Sequence, residues 1–171
     1  MQDVSIRQYE ETDVPELLTA VHESLADLEP WMPWATAAYS GSDAEEWVRM
    51  TRDAHLAGSM YDFAVVDKTG RYLGGCGINQ INAGCGVANL GYWIRLSASG
   101  RGVAPAAVRL LVGWAFEHTQ LNRLEIVVAV DNVRSRRVAE KVGAQLDAIL
   151  DKRLIVDRRP SAAALYSVVR P

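Results

Sequence analysis

At 171 residues, with 49% hydrophobic and 23% charged side chains, the chain has the size and composition of one folded domain, residues 1–171, that can bury a core without metals or disulfides. A formal net charge of -3 excludes an overall attraction to nucleic acid or to anionic membrane, although Arg134, Arg136, Arg137, Lys141, Lys152, Arg153, Arg158 and Arg159 crowd the last quarter. Cys76 and Cys85 lack metal-ligand spacing and read as small buried hydrophobes in a reducing compartment. The start "MQDVSIRQYE" carries no basic stretch followed by an apolar run, and no segment approaches the roughly 18–20 apolar residues of a membrane span. The expectation is cytoplasmic, with no membrane, nucleic-acid or metal partner.

In chain order, Val4 to Tyr9 alternates as a strand does. Val14, Leu17, Leu18, Val21, Leu25 and Leu28 then mark one face of one helix, capped by Thr12 or Asp13, with Pro15 in its first turn. Pro30 to Gly41 is a loop holding Trp31 and Trp34. A second helix is expected from Ser42 to about Ala57, because Ser42 precedes Glu45 in a capping-box pattern and Gly58 can end it. From Met60, "MYDFAVVD", "RYLGGCGINQI" and "CGVANLGYWIRL" form an antiparallel meander. A helix from Val103 to His118, the buried strand "NRLEIVVAV" and a helix from Asn132 to Val142 ended by Gly143 follow. Two strands, Gln145 to Val156 and Ala163 to Val169, close the chain around "DRRPS". This order predicts an α/β (α+β) fold: a mixed, mostly antiparallel seven-stranded sheet flanked by about four helices.

The junction "SASGRGVA" at 97–104 hands a strand to a helix through two glycines around an arginine. Such a loop is either a tight turn or a backbone cradle for phosphate at a helix N-terminus. A second segment, "AVDNVRSRRVAEKVGA", follows the next strand. Together the two resemble the GCN5-related N-acetyltransferase (GNAT) superfamily. Ser99 to Ala104 matches that family's Q/R-x-x-G-x-G/A loop except that Ser99 stands in the Q/R position. Asn132, Ser135, Lys141 and Gly143 match the second motif, with Ala139 and Ala144 replacing its tyrosine and phenylalanine. "LEPWMPW", "GYWI", "RLE" and "DN" followed by Ser135 narrow the resemblance to the RimJ/RimL-like branch, over nearly the whole chain.

The resemblance implies acetyl-coenzyme A as cosubstrate. Arg101, Gly102, Val103 and Ala104 would hold its pyrophosphate, the backbone of Ile94 and Leu96 would bind pantetheine, and an N–H near Ile94 would polarise the thioester carbonyl. Asn132 would hydrogen-bond pantetheine, though it is also a natural N-cap, and Arg136 or Arg137 would reach the adenosine phosphate. Ser135 takes the place where RimL-like enzymes put a serine that hydrogen-bonds or protonates the departing thiolate; a helix serine bonded to its own backbone is the alternative.

The general base is harder to place. Glu125 is the candidate, since it interrupts the apolar strand "RLEIVVAV", where a charge needs either a salt bridge with Arg123 or a place in the cleft. The RimL-type glutamate of the penultimate strand falls near Leu154. Trp31, Trp34 and Tyr92 are the candidate acceptor-binding residues, and Asp27 and Glu29 could attract an amine. The expected function is an N-acetyltransferase acting by direct attack of a primary amine, from a ribosomal-type protein N-terminus or a small molecule, with a weakly catalytic coenzyme A-binding sensor or interaction module on the same fold as the alternative. The family habit allows a homodimer.

Overall fold

A computed structural model describes residues 3–171; Met1 and Gln2, the first two residues of the expected domain span, lie outside the described residues. Seven strands, β1 (Val4–Gln8), β2 (Tyr61–Asp67), β3 (Tyr72–Asn82), β4 (Val87–Ile94), β5 (Arg123–Ala129), β6 (Gln145–Val156) and β7 (Arg159–Val169), form one sheet in the order β1-β2-β3-β4-β5-β7-β6. Every neighbouring pair is antiparallel except β4 with β5, which run parallel. The mixed, mostly antiparallel sheet expected from the sequence is thus the one observed.

Strand alternation divides the core between two faces. Ala64 and Val66 of β2 pack with Leu17, Ala20 and Val21 of α1 (Val14–Glu23) and Ala44 and Val48 of α3 (Gly41–Ala57). Phe63 and Val65, on the opposite face, pack with Val103, Val108 and Leu111 of α4 (Val103–His118) and Ala139 of α5 (Val133–Lys141). The fully buried Leu111, Leu124 and Ile126 anchor this second, larger layer.

Several local expectations are corrected. The first helix is broken at Ser24 into α1 and the short α2 (Leu25–Leu28), giving five α-helices among the described residues. The buried Ser24 hydroxyl donates to the Ala20 carbonyl at 2.6 Å and accepts from the Leu96 N–H at 2.9 Å, so a tertiary bond occupies the break. Asp13 stands at the N-cap of α1 without capping it, because Arg7 holds its carboxylate at 2.6 and 2.7 Å. The second long helix is capped by Ser40 with Asp43, two residues earlier than the Ser42–Glu45 pattern; Gly58 ends it in the left-handed conformation. The final hairpin turns on Asp157 and Arg158 alone, both at positive φ, and β7 begins at Arg159. Cys76 is buried as expected, whereas Cys85 is exposed in the β3–β4 turn.

Candidate active site

β4 and β5 pair only from Val87–Arg123 to Asn89–Glu125, after which β4 runs on to Ile94 with no neighbour on that side. The Arg95 N–H donates to the Leu73 carbonyl, which makes Ile94–Gly74 and Tyr92–Cys76 the non-hydrogen-bonded pairs of the β3–β4 ladder. The N–H and C=O groups of Tyr92 and Ile94 therefore face the opening. Ile94 lines the resulting cleft, of about 340 Å³, as its assignment requires. Leu96 does not: its N–H is committed to Ser24, its side chain is exposed, and it lies outside the cleft wall.

At the mouth of the cleft, Gly100 and Gly102 adopt positive φ (74° and 80°), a conformation that costs an L side chain, and α4 begins at Val103. Among the described residues, the N–H groups of 100–104 find no backbone acceptor, and Pro105 has none to offer. Open space lies where a Cβ at either glycine would point. Five donors without an acceptor among the described residues, at a helix N-terminus, have the chemistry to hold an anion such as a diphosphate. Gly102, Val103 and Ala104 line the cleft; the Arg101 side chain is exposed and does not, leaving only its backbone to the cradle.

The arginines of α5 divide by helix face. Arg136 points away from the cleft, to the Tyr166 hydroxyl (3.2 Å) and the Val130 carbonyl (3.4 Å), which corrects its expected phosphate role. Arg134 and Arg137 line the cleft instead. Arg134 spans its mouth, bonding Asp27 at 2.9 Å and the Ser99 hydroxyl at 2.6 Å. Ser99 and Asp27 thus hold a cationic group beside the 100–104 loop, although Ser99 departs from the family pattern.

Deeper in, Asn132 caps α5 by accepting from the Ser135 N–H at 3.1 Å. Ser135 Oγ lies 2.9 Å from the Tyr92 hydroxyl, which also lies 2.9 Å from the Ser135 carbonyl oxygen. Burial, only partly offset by the Ser135 bond, pushes the Tyr92 phenol up to about 12, so it keeps its proton at neutral pH. Tyr166 is tied to Glu140 and Arg136 and lines neither cavity.

On the α1/α3 face a second cavity, of about 700 Å³, shares Trp31, Met32, Tyr92 and Trp93 with the cleft. Trp34 packs its ring 5.8 Å from both Tyr39 and Trp93. Trp31, Trp34 and Tyr92, all expected from the sequence, are therefore walls of one connected space. Asp27 is engaged by Arg134, and Glu29 lines neither cavity.

Glu125 is not in this space. It pairs with Arg123 at 2.9 Å, and Arg123 also holds Asp147 at 2.6 Å, so the charge in the apolar strand belongs to a structural ion-pair network on β5 and β6. The carboxylate that the sequence reading missed is Asp62 of β2. It lines the second cavity, and its Oδ2 is buried without a hydrogen-bond partner among the described residues. Desolvation pushes it up to about 7. The available signal was the cluster "GGCG" on the partner strand: a Cβ on Gly77, which pairs with Asp62, would lie 2.0 Å from Asp62 Oδ1.

Comparison with known proteins agrees with this geometry. Residues 3–145 match the Acetyltransferase (GNAT) domain family. YdaF of Bacillus subtilis (strain 168), named as a candidate ribosomal N-acetyltransferase, is 30% identical over 83% of this chain and 78% of its own. The ribosomal-protein-serine acetyltransferase of Escherichia coli (strain K12) is 24% identical over 87% and 83%. Among solved structures, RimL, a ribosomal L7/L12 α-N-protein acetyltransferase in complex with coenzyme A, shares the fold with a TM-score of 0.91 over 99% of this chain and 95% of its own, at 20% identity. The chain belongs to the GNAT acetyltransferase family, among relatives of the RimJ/RimL type.

Proposed function

We propose that the protein moves an acetyl group from acetyl-coenzyme A to a primary amine, of a ribosomal-type peptide N-terminus or a small molecule, by direct attack. The observation that carries this reading is the meeting of the two cavities at Tyr92 and Trp93, one leading to the free N–H groups of 100–104, the other walled by aromatic and acidic side chains. The cosubstrate supplies the acetyl group as a thioester and leaves as a thiol. Residues 100–104 bind its pyrophosphate, Arg134 and Arg137 add positive charge, and the open backbone edge of Tyr92 and Ile94 orients its arm. The Ile94 N–H is the donor for the thioester oxygen. Ser135, backed by Tyr92, holds a proton for the departing sulfur.

A covalent acyl-enzyme is disfavoured by the cysteines. Burial drives the Cys76 thiol far above its ordinary range, and Cys85 lies outside both cavities. Amine-stimulated thiol release from acetyl-coenzyme A tests the proposal; binding of the cosubstrate with no release by any amine would instead make the protein a sensor.

A further inference from the structure

Asp62, Gly77 and Gly91 form a row across β2, β3 and β4, paired in register. The two glycines strip side chains from the sheet floor, and the Asp62 carboxylate occupies the space a Cβ on residue 77 would fill. All three residues line the second cavity. Asp43 and Glu46 of α3 line it as well, and no Lys, Arg or His is among its described lining residues. A buried oxygen without a partner is costly, and protein sites keep such groups where a ligand completes them.

Building on the acetyltransferase reading, we propose that Asp62 receives the acceptor's ammonium group and takes one proton from it, and that the acceptor is therefore a primary amine with no carboxylate beside it. A free α-carboxylate would meet three acidic residues and no cation; a peptide N-terminus or an arylalkylamine would not. The aromatic walls, with Trp34 against Trp93, suit a flat or apolar body next to the amine.

The protons balance. The ammonium gives one proton to the Asp62 carboxylate, and the neutral nitrogen forms the N–C bond as the C–S bond breaks. The second nitrogen proton leaves to solvent once the N–C bond has formed, the Ser135–Tyr92 pair gives one proton to sulfur and is reprotonated from solvent, and Asp62 returns its proton to solvent, so each turnover releases one proton net. The groups around Asp62 suit this cycle: Tyr9 and Cys76 stay protonated through burial, and Tyr92 keeps its proton at neutral pH. Tyr39, Asp43 and Glu46 are the other titratable groups of the cavity wall.

The test compares phenylalanine amide, tryptamine and free phenylalanine as acceptors for the native protein, Asp62→Asn and Gly77→Ala, with binding followed separately by tryptophan fluorescence. The expected result is kcat/KM at least 100-fold higher for the amide than for the free amino acid. At pH 7, Asp62→Asn should lose at least 100-fold, and its pH profile should change from a bell to a single rise toward the amine's own pKa. Gly77→Ala, which crowds the carboxylate, should lose turnover in the same direction. Turnover and pH profile unchanged in Asp62→Asn, or equal use of phenylalanine and its amide, would overturn the inference while leaving acetyl transfer intact. Amine binding that needs Asp62 but gives no thiol release would support ammonium recognition and defeat the acetyltransferase reading alone.

Discussion

The hydroxyl of Tyr92 sits 2.9 Å from both the carbonyl oxygen and Oγ of Ser135. A carbonyl only accepts, so Tyr92 donates to it, and the Ser135 hydroxyl in turn donates to the Tyr92 oxygen. Strand β4 and helix α5, which are far apart in sequence, are locked together where the cleft meets the second cavity. Ser135→Ala should lower kcat by about 10–100-fold, the equivalent of one or two lost hydrogen bonds, with little change in acetyl-coenzyme A binding. Tyr92→Phe should lower kcat less but destabilise the fold modestly, because it removes the phenol's bonds to Ser135 while the Ser135 carbonyl, inside α5, keeps its helix bond; kinetics with thermal unfolding separates the two.

The α5 arginines provide an internal contrast. Arg134 and Asp27 are exposed enough that their pair contributes at most about 1 kcal/mol to folding. Arg134→Ala should therefore leave the unfolding midpoint nearly unchanged while raising the KM for acetyl-coenzyme A several-fold, more so at low salt. Arg136→Ala should leave that KM as it is, because its guanidinium serves Tyr166 and Val130. Steady-state kinetics on both variants distinguishes phosphate contact from general charge.

Arg95, buried at the end of β4, binds Glu23 at 2.7 and 2.9 Å, Glu16 at 2.9 Å and the Tyr72 carbonyl at 3.0 Å. This ties α1 to the strand that carries Tyr92 and Ile94. The Arg95 bond, with help from Ser97, holds the Glu23 carboxyl down at about 2. Because that pKa is depressed on folding, the stabilisation is fully present above the ordinary glutamate value near 4.3 and fades as pH falls toward 2. Arg95→Ala should cost about 3 kcal/mol at pH 7 by stranding Glu23, and the penalty should shrink across that acid window in urea titrations.

Asp62 behaves oppositely. Its folded pKa, about 7, lies above the ordinary value near 3.9, so the native state binds more protons between those limits and stability falls as pH rises through them. Asp62→Asn should be more stable than the native protein at pH 8, with the gap closing toward pH 4. A more stable but less active variant is the signature of a group retained for chemistry.

Much of this was legible from local pattern. Helix Val103–His118 and strand Gln145–Val156 begin and end where periodicity and turn residues place them, whereas two glycines before a helix fit a tight turn as well as a phosphate cradle. What failed depended on contacts between distant segments. Ser24 breaks a helix where it bonds Leu96, and the same bond takes up the Leu96 N–H expected for pantetheine. For Glu125 the sequence offers both a salt bridge with Arg123 and a place in the cleft; the fold decides for the salt bridge, with Arg123 also holding Asp147 of a strand distant in sequence. Of the two arginines expected at the phosphate, helix phase puts Arg137 on the cleft and Arg136 away from it, and brings Arg134 to the cleft as well. Asp62 went unseen because its significance lies in the missing side chain of a residue on another strand, Gly77.

The most direct measurement is thiol release from acetyl-coenzyme A against a panel of peptide N-termini and small primary amines, with acetylated product confirmed by mass. The account predicts saturable release with one acetyl group transferred per thiol, slowed by about 10–100-fold in Ser135→Ala under conditions where the cosubstrate still binds. Tight cosubstrate binding with no amine-stimulated release, and no acetylated product, would contradict it.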